Sequence, residues 1–368
     1  MVRNSTWGVL ALAAVAVMAG CAKEDAAPAS GDSVRTMDGA LAPARDTMPA
    51  KADEQMQAVM DELAALGGKP IETLTPAEAR KQPTPTDAVM ALLRKQGKPT
   101  TPEPGVTAKD RTIPGPAGAL PVRIYTPTEG AAPYPVIVYF HGGGWVIGSK
   151  EVYDGGARGL SKRTGAIVVS VDYRLGSEHK FPASHDDAVA TYKWAVANAR
   201  SIQGDSTRMA LAGESAGGGL AVATAIAARD QQLMAPKHVL SVYPITGTDT
   251  TTPSYVQHAM AKPLNRPMMS WFLNHYLRNA ADRQDPRVNL VAANLRGLPP
   301  VTIINAQIDP LLSDGEMLAQ RLRDAGVTVE QKTWNGVTHE FFGMAAVVDK
   351  AKDAQQMGAD GLKKGLGM

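Results

Sequence analysis

The chain has 368 residues; 44% hydrophobic and 20% charged side chains are the composition of a globular protein with a substantial core. A formal net charge of +2, with no basic stripe interleaved with aromatics, argues against nucleic acid as a partner. The single cysteine, Cys21, excludes an intramolecular disulfide.

In chain order, Arg3 precedes an apolar core from Val9 to Met18. That core is shorter than the roughly 20 residues a bilayer span needs and has the form of a secretory signal. It closes with Met18-Ala19-Gly20-Cys21, which resembles the bacterial lipoprotein signal, although Met18 stands where Leu or Val is usual. The expectation is export with a lipid anchor on Cys21, and Ala22 after the cysteine points to the outer membrane, facing the periplasm. The alternative is ordinary signal cleavage near Ala22 and a soluble periplasmic protein. Residues 22 to about 50 are rich in Ala, Pro, Ser, Asp and Thr and read as a tether, spanning roughly 30 Å if flexible.

Met56, Val59, Met60, Leu63 and Leu66 recur at helical spacing and Gly67-Gly68 ends that run, which predicts a helix over 51–66. Pro76 opens a second stretch to Arg80, and a third runs from Thr86, as N-cap, to Gln96. These helices precede the first expected strand and read as a lid. Strand-like runs follow at Leu120–Tyr125, Val136–Phe140, Ala166–Asp172, Arg208–Ala212, Val239–Tyr243 and Val301–Asn305. Helical stretches such as Asp186–Asn198 and Ser215–Arg229 alternate with them, the pattern of a mostly parallel sheet covered on both faces. Residues 253–288 interrupt the alternation, and their run Met268–Leu273 reads as a further part of the lid.

The chemistry gathers at three places. Gly213-Glu214-Ser215-Ala216-Gly217 joins a strand to a helix as a nucleophile elbow, which lifts the Ser215 hydroxyl above the sheet edge and aims the Ala216 N–H at an oxyanion. His141-Gly142-Gly143-Gly144-Trp145 follows a strand, and three glycines there suit backbone N–H groups that approach a ligand closely. His141 is expected to brace that loop. A serine nucleophile needs a base and the base an orienter. His339, in a loop after the last strand-like run, lies C-terminal to Ser215, so the acid should fall between them. Asp309 ends an apolar run and qualifies. Asp314 is its rival, better explained as a charge at the start of a helix over 316–325. His179, His185, His238, His258 and His275 read as structural, the last three in surface or lid contexts.

His141-Gly-Gly-Gly-Trp145, Asp172-Tyr-Arg-Leu175, Glu178–Ala183, Gly213–Gly218, Asp309-Pro-Leu311 and Gly336-Val-Thr-His339 together resemble the bacterial branch of the hormone-sensitive-lipase family of α/β-hydrolases, over residues 55–350. The resemblance implies an α/β-hydrolase fold with a helical N-terminal cap. It implies Ser215 as nucleophile, His339 as general base and acid, Asp309 as its orienter, and the N–H groups of Gly143, Gly144 and Ala216 as oxyanion hole. The division expected is a signal peptide (1–20), a tether (21–50), a cap (51–108) and a catalytic domain (109–368), with 253–288 contributing to the cap. The partner is then a small-molecule ester, with the membrane met only through Cys21. No metal or organic cofactor is required, and no Gly-x-Gly-x-x-Gly, P-loop or His-Glu-x-x-His pattern occurs. The reaction expected is hydrolysis of short- to medium-chain acyl esters. Alternatives are O-deacetylation of envelope glycans or xenobiotics, and a non-catalytic binding lipoprotein. Two positions depart from the family, with Glu214 where Asp is common and Glu340 where Gly often follows the histidine. A carboxylate within ~4–6 Å of His339 would raise its pKa; the alternative is that both make structural hydrogen bonds.

Overall fold

Apart from Tyr134, the run Tyr134–Phe140 has no exposed face, and neither do Ile167–Val171, Val239–Val242 or Met209–Glu214. A strand without a polar face needs cover on both sides, which is the condition of interior strands in a helix-covered parallel sheet. The computed structural model describes residues 50–368. The expected signal, Cys21 and the tether through residue 49 lie outside the described residues.

The strands are β1 (Val106–Gly115), β2 (Gly118–Pro127), β3 (Tyr134–Phe140), β4 (Ile167–Val171), β5 (Gly204–Glu214), β6 (Val239–Val242), β7 (Val301–Ile308) and β8 (Val329–Thr338). They form one sheet in the order β1-β2-β4-β3-β5-β6-β7-β8. The β1–β2 and β2–β4 pairs are antiparallel and the remaining five are parallel. Helices α1 (Glu54–Ala65), α2 (Pro76–Ala79) and α3 (Pro85–Lys95) precede the sheet. Within or after it come α4 (Asp154–Thr164), α5 (Ala183–Asn198), α6 (Ala216–Asp230), α7 (Pro253–Gln257), α8 (Arg266–Tyr276), α9 (Leu312–Asp324) and α10 (Asp349–Leu366). The fold is that of an α/β-hydrolase.

Alternation along β3 divides the interior into two cores. Val136, Val138 and Phe140 join one with residues of α5, α6, α8 and α9, while Ile137 and Tyr139 join the other with residues of α4 and α10. The N-terminal helices divide between them. Met56 and Val59 of α1 and Val89 and Leu93 of α3 belong to the α4/α10 core. Ala79 of α2 belongs to the opposite core, and the Trp271 indole of α8 donates to the Leu74 carbonyl at 3.0 Å. The segment 51–108 is thus two packing units on opposite sides of the sheet, and the expected lid stretch in 253–288 completes one of them.

Several boundaries differ from expectation, for local reasons. Thr84, not Thr86, caps α3, because Pro85 suits the first helical turn and Asp87 closes a capping box with Thr84; the Thr86 hydroxyl instead donates to Val152 O at 2.7 Å. The last strand-like run was expected at Val301–Asn305 with a loop before His339, yet β8 runs to Thr338 as a sheet edge whose first five residues are all partly or fully exposed. Strand β1 is missed for the same reason: seven of its ten residues are exposed, and it begins inside the segment assigned to the cap. Helix α10 has no long apolar stripe because it packs close, with Gly358 against Leu240 and Gly361 against Thr302 and His238.

Arg80, at the end of α2, ties the α2 unit to the loops that follow β3 and β4. It donates to Val146 O (2.8 Å), Gly176 O (2.7 Å) and both carboxylate oxygens of Glu178 (2.7 and 2.8 Å). The Glu178 pKa falls to about 2, chiefly through the hydrogen bonds from Arg80. Glu178 is half exposed, so the ion pair itself is screened, and the two carbonyls left without a donor dominate any loss. Arg80→Ala should therefore destabilise by about 1–3 kcal/mol and speed amide exchange across residues 71–82 without changing β3, β5 and β7. Unchanged exchange in 71–82 would show that the unit is held by apolar packing alone.

Candidate active site

The chain leaves β3 for β4 on one side and returns to β5 on the other. Connections that diverge in this way open a crevice beyond the carboxyl ends of the strands. The glycine loop follows β3 and Ser215 follows β5, so the topology brings both to that crevice.

Ser215 sits at φ 57°, ψ −120°, a strained conformation for a residue with a side chain. Two glycines allow it. A Cβ on Gly213 would overlap the Gly217 carbonyl, and one on Gly217 would overlap the carbonyls of Phe140 and His141. The Ser215 N–H is taken by Val242 O at 2.8 Å, whereas the Ala216 N–H opens α6 and has no intrahelical acceptor. It points out of a helix N-terminus, where partial positive charge collects.

Gly143 and Gly144 have φ of +95° and +58°. A Cβ on Gly143 would overlap the Ile147 carbonyl, and one on Gly144 the Phe272 ring. The Gly143 carbonyl accepts from Val146 and Ile147, which folds the loop back and leaves its own N–H and that of Gly144 without an acceptor among the described residues. His141 stacks on Tyr173, with ring centroids 4.2 Å apart. Its Nδ1 lies 2.7 Å from Gly142 O; a carbonyl only accepts, so Nδ1 carries the hydrogen. The Tyr173 hydroxyl donates to His141 O at 2.8 Å. His141 and Tyr173, the latter within the Asp172–Leu175 motif, thus both contact the backbone of the glycine loop.

Asp309 follows β7 and His339 follows β8, and these strands pair as far as Ile308 and Thr338. Asp309 is fully buried. One carboxylate oxygen accepts the Leu311 N–H at 2.8 Å and the other lies 2.6 Å from His339 Nδ1. A carboxylate acceptor fixes the hydrogen on Nδ1, so Nε2 is free to accept the Ser215 hydroxyl at 3.0 Å. Asp314 stands apart from this chain of bonds. It lies in the first turn of α9, as expected of a charge near a helix start, but it is buried and accepts the Thr246 N–H at 3.0 Å. Burial pushes its pKa up to about 7. Of the other histidines, His238 is buried rather than at the surface, His258 is buried within the lid stretch, and His185 bridges Tyr276 and Arg287 O.

Both departures from the family lie beside the histidine. Glu214 is buried and accepts from the hydroxyls of Tyr139 and Tyr243; burial, reinforced by Glu340, raises its pKa to about 8. Glu340 places Oε1 3.9 Å from His339 Nε2 and accepts the Tyr153 hydroxyl at 2.6 Å. The Tyr243 ring packs on the imidazole at 4.5 Å between centroids. Burial alone would lower the His339 pKa, but Asp309, then Glu340 and Glu214, hold it above the ordinary value. The tyrosines in this cluster come from β3, from the turn after β6 and from the residue before α4, and no local sequence signal marks them.

A profile described as the alpha/beta hydrolase fold matches residues 137–343. Carboxylesterase NlhH of Mycobacterium tuberculosis is 38% identical over 288 residues, covering 76% of this chain and 89% of that protein. An ethyl acetate hydrolase of Pseudomonas putida is 32% identical over 306 residues, covering 81% and 92%. Among solved structures, a hyperthermophilic esterase from Pyrobaculum calidifontis superimposes with a TM-score of 0.77 at 33% identity, covering 85% of this chain and 98% of that one. The chain belongs to the α/β-hydrolase fold family. Within that family it is a carboxylic ester hydrolase.

A histidine that accepts a serine proton must be neutral, so activity falls as pH drops through its pKa. The charged or titratable groups facing the ring are Asp309, Glu214, Glu340, Tyr153 and Tyr243. Glu340→Gln removes one contributor that raises the His339 pKa, so the acid limb of kcat/KM should move to lower pH by up to about one unit. A limb that stays in place would show that Glu340 carries no charge beside the free imidazole.

Proposed function

We propose that the chain is a serine carboxylesterase acting on short- to medium-chain acyl esters through Ser215, His339 and Asp309. The observation that carries this reading is the unbroken series Ser215 Oγ–His339 Nε2 at 3.0 Å and His339 Nδ1–Asp309 at 2.6 Å. With it go the N–H groups of Gly143, Gly144 and Ala216, next to Ser215 or in the loop against its helix, left without an acceptor among the described residues. Ser215 attacks the ester carbonyl as His339 takes its proton. Asp309 holds the imidazole in the tautomer that can do so and stabilises the imidazolium that results. The oxyanion is met by Gly143, Gly144 and Ala216, each N–H worth about 10²–10³ in rate by the scale of such donors. His339 returns the proton to the departing alcohol, and water repeats the sequence on the acyl-enzyme. Phe272, packed over Gly144 and backed by Trp271, narrows the cleft beside these donors and supports a short acyl chain.

The same proposal places the enzyme on the outer membrane, facing the periplasm, through a lipid on Cys21. Its support is the sequence Met18-Ala19-Gly20-Cys21 and the Ala-, Pro-, Ser-, Asp- and Thr-rich composition of residues 22 to about 50.

On p-nitrophenyl esters from acetate to palmitate, turnover should be greatest on the short rungs and fall by about 10⁶ in kcat in Ser215→Ala. Residual turnover close to the unaltered chain's would remove Ser215 as nucleophile. In cells, Cys21→Ser should move the protein from the detergent-requiring membrane fraction to the soluble fraction, and the unaltered mature protein should carry a mass excess of acyl chains at its N-terminus. A soluble unaltered protein of unmodified mass would leave the esterase and remove the anchor.

A further inference from the structure

Glu340 has three properties that the triad does not explain. Its backbone lies at φ +70°, the left-handed region that glycine occupies without strain and other residues rarely do. Its side chain is 20% exposed, whereas those of His339 and Asp309 are 3% and 0% exposed. Its Oε1 takes both the Tyr153 hydroxyl and the approach to His339, and the second carboxylate oxygen makes no hydrogen bond among the described residues. The strained backbone thus holds a carboxylate with one oxygen anchored and one free at the opening of the site.

The position of that carboxylate identifies what it meets. His339 Nε2 faces Ser215 and must hand its proton to the departing alcohol, so the alcohol oxygen has to come within about 3 Å of this nitrogen. A carboxylate oxygen 3.9 Å from the same nitrogen is therefore a neighbour of the alcohol half of the ester. The carbonyl oxygen, on the esterase reading, is met instead by the N–H groups of Gly143, Gly144 and Ala216.

We infer that Glu340 selects the alcohol, favouring esters whose alcohol carries a hydroxyl on the carbon next to the ester-bearing one, as in monoesters of glycols and polyols, over purely apolar and over anionic alcohols. The inference rests on the esterase reading. The hydroxyl donates to the free carboxylate oxygen, an apolar group leaves that oxygen without a partner, and an anionic group meets like charge. Tyr153 keeps the carboxylate aimed. Its ring also lies where a side chain on Gly142 would be, so the same residue supports Glu340 and the glycine loop.

The test compares 2-hydroxyethyl acetate with propyl acetate, nearly equal in shape and differing in one hydroxyl, and adds acetoxyacetate as the anionic member. Measurements are made above the acid limbs of all the proteins compared. The unaltered chain should show a kcat/KM ratio for hydroxyethyl over propyl acetate about tenfold above that of Glu340→Gly, on the scale of a hydrogen bond to a charged group. Glu340→Gln, which keeps an acceptor and loses the charge, should retain part of that preference and hydrolyse acetoxyacetate faster than the unaltered chain. Glu340→Gly relieves backbone strain, so loss of folding is not the expected outcome, and the ratio is insensitive to the fraction of active protein. An equal ratio in all three proteins, with propyl acetate still hydrolysed, overturns the inference and leaves the esterase reading intact. No turnover of any acetate by the unaltered chain overturns both.

Discussion

The site depends on an approach between main chains that no side chain would permit. Where β5 turns into α6, Gly217 lies against the carbonyls of Phe140 and His141 at the end of β3, and Gly213 against the carbonyl of Gly217. This contact does two things at once. It forces Ser215 into a conformation that projects its hydroxyl off the sheet, and it brings the first turn of α6 beside the loop that begins at His141. Ser215 and the N–H groups proposed as oxyanion donors therefore share one backbone contact rather than two independent placements, above the β3–β5 pairing.

The histidine and its acid are placed by a second piece of sheet geometry. Strands β7 and β8 are adjacent and parallel, so residues that follow their carboxyl ends leave the sheet side by side, and Asp309 and His339 do so. The imidazole then reaches over β6 to Ser215. Tyr243, in the turn after β6, packs against the ring at a tilt of 50°. The parallel sheet thus supplies the order in which the groups meet, and local packing supplies the last ångström.

Much of this was legible in the sequence because it is local. Gly-x-Ser-x-Gly, the triple glycine and the fully apolar strands are short patterns whose meaning does not depend on distant residues. What escaped was what depends on partners elsewhere. Strands β1 and β8 are sheet edges with little buried surface, so they lack the apolar signature of the interior strands. His238 looked like a surface histidine because nothing local announces that Thr302, 64 residues away, bonds its Nε2. Asp314 looked like a helix-end charge, and it is in a first helical turn, but the Thr246 N–H that buries it comes from 68 residues upstream. The two glutamates could be noticed as unusual, yet their hydroxyl partners, Tyr139, Tyr153 and Tyr243, come from three separate elements.

Those two glutamates share a single compensating segment. Glu214 is longer than the aspartate common at its position, and its carboxylate extends into space that a Cβ on Gly156 would occupy. Glu340 is larger than glycine and is steadied by the hydroxyl of Tyr153. Both accommodations fall within Tyr153–Gly156, where α4 begins. The electrostatics follow the same division. Glu214 is sealed in; burial raises its pKa to about 8, and its two carboxyl oxygens take the hydroxyls of Tyr139 and Tyr243. Glu340 keeps a partly exposed side chain and lies 3.9 Å from His339 Nε2. Of two carboxyl groups near one imidazole, one is closed off by two tyrosine hydroxyls and the other keeps a partly exposed side chain.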